Sequence, residues 1–176
     1  MKNIVLIGFM GVGKSSTGKA LATKLGSSFI DMDLVIEAEE GISISEIFAK
    51  YGEDYFRKKE ADLVKRVAIR QDTVISTGGG TIKNTQNLKR LQNSGVIVSL
   101  TADVDTILER TSHRGDRPVL DNADKGDRRA AIEKLLKERE GMYRQADFTI
   151  DTSDKSPMQV VDCIIKRLKT RGVIHA

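Results

Sequence analysis

The residues best equipped for chemistry open the sequence. Gly8-Phe9-Met10-Gly11-Val12-Gly13-Lys14-Ser15 has the spacing G-x-x-x-x-G-K-S/T, in which a glycine-rich turn leads into a helix. Glycines let the backbone curl around a phosphate with no Cβ in the way. The unpaired N–H groups that open the helix face the anion with partial positive charge. The expected polyphosphate cradle is Gly11, Val12, Gly13, Lys14, Ser15 and Ser16. Lys14 can follow the β- and γ-phosphates of ATP, and the Ser15 hydroxyl can ligate Mg²⁺. Chance supplies such a match in a chain of this length roughly 0.6% of the time at average composition.

A magnesium nucleotide site needs a second oxygen anchor, usually an acid at the end of a neighbouring strand. The strand read at 73–76 ends in Val74-Ile75-Ser76, without an acid, so Asp31 or Asp33, beside the loop on another strand, must supply the carboxylate. Other groups with chemical potential are Arg57 with Glu60 three residues on, Gly78-Gly79-Gly80, Arg110, Arg117 and Arg139. Taken singly, each has a plainer reading as a helix ion pair, a tight turn or a solvated loop charge. No Asn-Lys-x-Asp segment of the kind that reads guanine is present. His113 and His175 have no neighbours in sequence that suggest a metal site or a triad.

These residues sit on short apolar strands, expected at 2–7, 28–30, 73–76, 96–100 and 148–150. Helices are expected at 14–25, through most of 34–70 with Gly41 and Gly52 as breaks, and at 84–92, 103–110 and 128–144. A last helix begins behind Ser156 as cap and Pro157 at its first turn. Its apolar face is Val160, Val161, Ile164, Ile165 and Leu168, with Cys163 expected buried among them. Strands alternating with helices imply right-handed βαβ units and a parallel sheet covered on both faces. Ligands in such folds bind at the carboxyl ends of the strands, where Gly8–Ser15, Asp31 to Asp33 and Gly78 to Gly80 all fall. The stretch 111–127 is polar and aperiodic, which reads as a mobile excursion.

With 176 residues, 39% hydrophobic and 31% charged, the chain can bury a core as one unit spanning 1–176. Twenty-nine Lys plus Arg against 25 Asp plus Glu leave a net charge of +4, which suits an anionic substrate. Aromatic content is 5% with no Trp, which argues against base-stacking platforms and nucleic-acid partners. The single cysteine excludes an internal disulfide and points to a reducing cytoplasm. No apolar run is long enough to span a membrane, and a monomer is expected.

Taken together, Gly8–Ser15, Asp31-Met32-Asp33, Phe56-Arg57-Lys58-Lys59-Glu60, Thr77-Gly78-Gly79-Gly80 and Arg117-Pro118 closely resemble the shikimate kinases across essentially the whole chain. The resemblance implies a three-layer α/β P-loop kinase fold whose five parallel strands run in the order 2-3-1-4-5, with substrate-binding helices at about 34–60 and a lid at about 111–127. It implies phosphorylation of the 3-hydroxyl of shikimate by ATP, with Mg²⁺, on the route to the aromatic amino acids. Asp33 then matches the acid that binds substrate hydroxyls and accepts the attacking proton, and Asp31 the acid that supports Mg²⁺ through water. Arg57 and Arg139 match the partners of the substrate carboxylate, and Glu60 can orient Arg57. Gly78, Gly79 and Gly80 match the backbone that approaches the substrate. Arg110 matches the residue that packs on adenine, and Arg117 the lid arginine that reaches the transferring phosphoryl group. One departure is visible: where the family has Arg-x-Pro-Leu-Tyr, this chain has Arg139-Glu140-Gly141-Met142-Tyr143. The alternatives are a gluconate or nucleoside monophosphate kinase of the same branch, or a non-catalytic nucleotide-binding module.

Overall fold

The structure is a computed structural model describing residues 1–111 and 125–175. Five strands, β1 (Asn3–Gly8), β2 (Ser28–Asp31), β3 (Thr73–Ser76), β4 (Gly95–Thr101) and β5 (Phe148–Asp151), form one sheet in the order β2-β3-β1-β4-β5. Every neighbouring pair is parallel. The helices are α1 (Lys14–Leu25), α2 (Met32–Glu40), α3 (Ile44–Tyr51), α4 (Glu53–Ala68), α5 (Thr85–Ser94), α6 (Val104–Arg110), α7 (Lys125–Tyr143) and α8 (Pro157–Thr170). The strand order agrees with the one the family resemblance implies. The segment expected to be mostly helical, 34–70, is three helices broken at Gly41 and Gly52.

Burial explains the order. All six residues of β1 are buried, as a central strand covered on both faces requires. In β5 burial alternates, as befits an edge. Right-handed crossovers put α1 on one face of the sheet and α4 with α5 on the other, and α8 returns to pack on α1. The buried Asn3 ties two strand ends together. Its Nδ2 donates to the Arg70 carbonyl at 2.9 Å, and its Oδ1 accepts from the Thr73 N–H at 3.1 Å.

Local signals set the helix ends. Gly13, at φ +89°, turns the chain into α1, and Gly26, at φ +67°, ends it. Ser43 with Glu46, and Ser156 with Gln159, form reciprocal capping boxes at α3 and α8. On α8, Val160, Val161, Ile164 and Leu168 are buried, whereas Cys163, expected buried, is only half-buried. A short 3₁₀ turn, Thr81–Lys83, which no local pattern announces, connects the triple glycine to α5.

Candidate active site

The carboxyl ends of β1, β2 and β3 open on a cavity of about 520 Å³. Gly11, Gly13, Lys14, Ser15 and Ser16 line one part of it, and Asp31, Asp33, Arg57, Gly78, Gly79, Gly80, Arg110 and Arg139 line the rest. Every expected site residue among the described ones is thus gathered there except Val12. Its side chain is buried in the core, and its carbonyl accepts from the Thr152 hydroxyl at 3.1 Å, so it can serve a phosphate only through its backbone. Arg117 and His113, with residues 112–124 of the expected lid, lie outside the described residues.

The loop needs its glycines for space as well as for φ. A Cβ on Gly8 would lie 2.4 Å from the Leu100 carbonyl oxygen, and one on Gly11 would lie 2.8 Å from Thr111 Cγ2. The loop curls around the Lys14 side chain, whose Nζ donates to the Gly8 and Phe9 carbonyls at 2.7 and 3.0 Å. The ammonium is therefore held at the centre of the cradle. Next to it, the Ser15 hydroxyl donates to Asp31 Oδ2, while Asp31 Oδ1 caps α2 by accepting from the Leu34 N–H at 3.2 Å. A hydroxyl and a carboxylate in contact at the mouth of a phosphate loop are the hard oxygen donors that Mg²⁺ takes, with phosphates and water completing its shell. No group of three or more His, Cys, Asp or Glu that could hold a metal by itself occurs among the described residues. The donor set therefore fits a nucleotide-borne Mg²⁺ rather than a resident ion.

Asp33 lies in the first turn of α2, half-buried in the cavity wall. Burial, followed by the nearby Glu60 and Asp31 carboxylates, pushes its pKa up to about 7 against the pull of Lys14. A carboxyl poised there is suited to exchange a proton at neutral pH.

Beyond Asp33, a rigid polar frame holds Arg57. Glu60, 2% exposed, accepts from Arg57 Nη1 at 2.9 Å through one oxygen and from the Thr81 hydroxyl at 2.7 Å through the other. Glu53 accepts from Arg57 Nε at 3.2 Å. The role read for Glu60 in orienting Arg57 has its geometric basis here; Glu53 and Thr81 were not foreseen. Gly80 makes room for this guanidinium, because a Cβ there would lie 2.8 Å from Arg57 Nη2. A Cβ on Gly78 would lie 2.9 Å from Asp33 Oδ1 and 3.0 Å from Glu60 Oε2.

Arg139, 3% exposed, enters from α7. Its Nη1 donates to the Gly79 carbonyl at 3.1 Å, and its guanidinium lies over the Phe9 ring, 5.5 Å from the centroid. The Tyr143 hydroxyl donates to the same carbonyl at 3.1 Å. Gly141 does not interrupt this helix, which runs on to Tyr143. On the nucleotide side, Arg110 donates to the Gly11 carbonyl at 3.2 Å and to the Thr152 carbonyl at 3.0 Å. Its planar guanidinium is thereby fixed beside the loop. Thr152 has no local sequence signal, while Tyr143, one helical turn beyond Arg139, closes the segment that matches the family's Arg-x-Pro-Leu-Tyr but was given no role there.

A parallel sheet of this order, a glycine-rich loop around a lysine, and an acid facing that loop across a cavity define a P-loop phosphotransferase of the small-molecule kinase type. The family model for shikimate kinase matches residues 10–169, and the chain belongs to that family. It is 46% identical to the shikimate kinase of Thermodesulfovibrio yellowstonii over 166 residues, covering 94% of each chain. It is 45% identical to that of Pelotomaculum thermopropionicum over 175 residues, covering 99% of this chain and all of the other. The solved structure of shikimate kinase from Acinetobacter baumannii in complex with shikimate superposes with a TM-score of 0.93 at 34% identity, covering 97% and 94% of the two chains.

Proposed function

We propose that the protein transfers the γ-phosphoryl group of ATP to the 3-hydroxyl of shikimate. The observation that carries this reading is Asp33, which lies in one cavity with the phosphate loop and with two anchored guanidinium groups, Arg57 and Arg139. That arrangement matches a small polyol carboxylate: the arginines take the carboxylate, where a planar fork suits a planar anion, and the acid takes hydroxyls. The A. baumannii relative was solved with shikimate bound, which supports the assignment.

The acceptor hydroxyl attacks the γ-phosphorus in line, its oxygen forms the new P–O bond, and the bridging oxygen leaves with ADP. The hydroxyl proton passes to the ionised Asp33 carboxylate. Lys14 leaves the Gly8 and Phe9 carbonyls for the β- and γ-phosphate oxygens, so positive charge follows the group in flight. Ser15, with Asp31 acting through water, would hold Mg²⁺, which neutralises phosphate charge when bound. Arg110 offers a flat cation against the adenine, and Arg117 is assigned the lid contact with the phosphoryl group. In this reading residues 1–176 work as one unit, with the acceptor held by the helices of about 34–60 and covered by the lid of about 111–127. We place the enzyme in the cytoplasm as a monomer. No helix among the described residues is long and apolar enough to cross a membrane.

Coupled ADP release, measured with Mg²⁺, ATP and separate additions of shikimate, gluconate, AMP and CMP, tests the assignment. Turnover with shikimate alone is expected. Turnover with gluconate or a nucleotide and none with shikimate would overturn it.

A further inference from the structure

Gly79 sits in the middle of the triple-glycine loop, and its carbonyl faces α7. Two donors meet there, Arg139 Nη1 and the Tyr143 hydroxyl, each at 3.1 Å. They lie one helical turn apart on the same helix, so both reach the same point. One acceptor with two lone pairs can take both. Tyr143 itself is 8% exposed, and its hydroxyl donates to this carbonyl from within the packed interface. Burial raises its pKa above the ordinary phenol value, although Arg139 pulls the other way, so it remains a donor throughout the neutral range.

The double contact matters because Arg139 has a second task in the proposed reaction. If Arg139 were the sole donor, turning it toward a substrate carboxylate would strand a carbonyl in a buried loop, and leaving a buried acceptor unpaired is costly. Tyr143 removes that conflict. The same contact sets the direction of the next peptide N–H. In a trans peptide the carbonyl of Gly79 and the N–H of Gly80 point to opposite sides, so a carbonyl held toward α7 turns the Gly80 N–H away from that helix. Arg57 packs beside Gly80, against the space that a Cβ would occupy.

We propose that Tyr143 is a positioning residue for the acceptor site: its hydroxyl keeps the Gly79 carbonyl satisfied, which frees Arg139 to engage the substrate carboxylate and keeps the loop peptide between Gly79 and Gly80 in one orientation. The proposal rests on shikimate being the acceptor. It assigns Tyr143 no contact with the reacting atoms.

Tyr143→Phe removes one oxygen and leaves the ring in place. Titration calorimetry with shikimate, together with steady-state kinetics, should show shikimate Kd and KM raised about 5- to 10-fold, the worth of one hydrogen bond to a buried acceptor. The KM for ATP should stay within twofold, and Tm should be little changed. With Arg139→Lys in the background, the Tyr143→Phe penalty should shrink, because the freed guanidinium it serves is gone. An unchanged shikimate Kd would overturn the proposal. So would a parallel rise in both KM values with a lowered Tm, since that is general loosening of α7. Absence of shikimate turnover in the wild-type enzyme would instead strike the functional reading, and is distinguished by the panel assay above.

Discussion

At Asp33 the environment sets both the chemistry and a stability cost. The folded chain holds the Asp33 proton up to about pH 7, whereas the ordinary carboxyl releases it near 3.8. Between those values the folded state binds more protons than the unfolded one, so this group makes stability fall as pH rises through the window. Asn has no proton to lose. Asp33→Asn should therefore gain stability relative to wild type as pH rises from about 4 to about 7, and hold the gain above that. Between pH 5 and pH 8 the gain is on the order of 2–3 kcal/mol, readable as urea midpoints at the two values. The same substitution should lower kcat at pH 8 by about 10²-fold, the lower part of the range for acid–base groups. A mutant that loses activity without the pH-dependent stabilisation would show that Asp33 is not strained in the free enzyme. A rise in KM alone would show that it holds hydroxyls without accepting the proton.

At the scale of elements, two glycines separate tight register from slack. Gly95 opens β4 opposite Asn3 in the parallel pair with β1, and a Cβ there would lie 1.9 Å from the Asn3 carbonyl oxygen. That neighbour is backbone within the sheet and cannot yield, so Gly95→Ala should cost more than ~2 kcal/mol by forcing the strands apart. Gly141 lies exposed within α7, and a Cβ there meets nothing within 4 Å. Gly141→Ala should instead stabilise by about 0.5–1 kcal/mol through helix propensity alone, and because α7 carries Arg139 and Tyr143 it should leave shikimate affinity intact. Thermal melts of both variants check the pair. A stabilising Gly95→Ala would contradict the close approach of β1 and β4, and a destabilising Gly141→Ala would mean that α7 needs to bend there.

For the whole molecule, the acceptor pocket joins segments far apart in the chain: α2, α4, the loop after β3, and α7. A ligand that bridges them binds only when all are in place, so it must stabilise the entire fold by mass action. Shikimate at about 100 times its Kd should raise the free energy of unfolding by about 2.7 kcal/mol, measured by urea denaturation. Arg57→Ala should lose most of that increment at the same concentration, because it removes one of the two guanidinium groups proposed to hold the carboxylate. Full stabilisation of the Arg57→Ala protein would place the carboxylate elsewhere.

Much of this was legible along the chain because it is encoded locally. Helix and strand periods, the glycine breaks at Gly41 and Gly52, the Ser156 cap and the loop from Gly8 to Ser15 each depend on residues within a few positions of one another. So does the pairing of Arg57 with Glu60, which are neighbours on one helix face. The family resemblance added roles for Asp33, Arg139 and Arg117, the last of which lies outside the described residues. What only the tertiary structure decided are meetings across long stretches of sequence. Thr81 closes the second oxygen of Glu60, Thr152 ties Arg110 to the phosphate loop, and Tyr143 shares the Gly79 carbonyl with Arg139. The raised pKa of Asp33 belongs here too, since burial is its largest cause and the Glu60 carboxylate, brought from another helix, the next. A residue's spacing specifies the element it sits on; its charge state and its distant partners depend on what that element is packed against, and packing is a property of the folded chain as a whole.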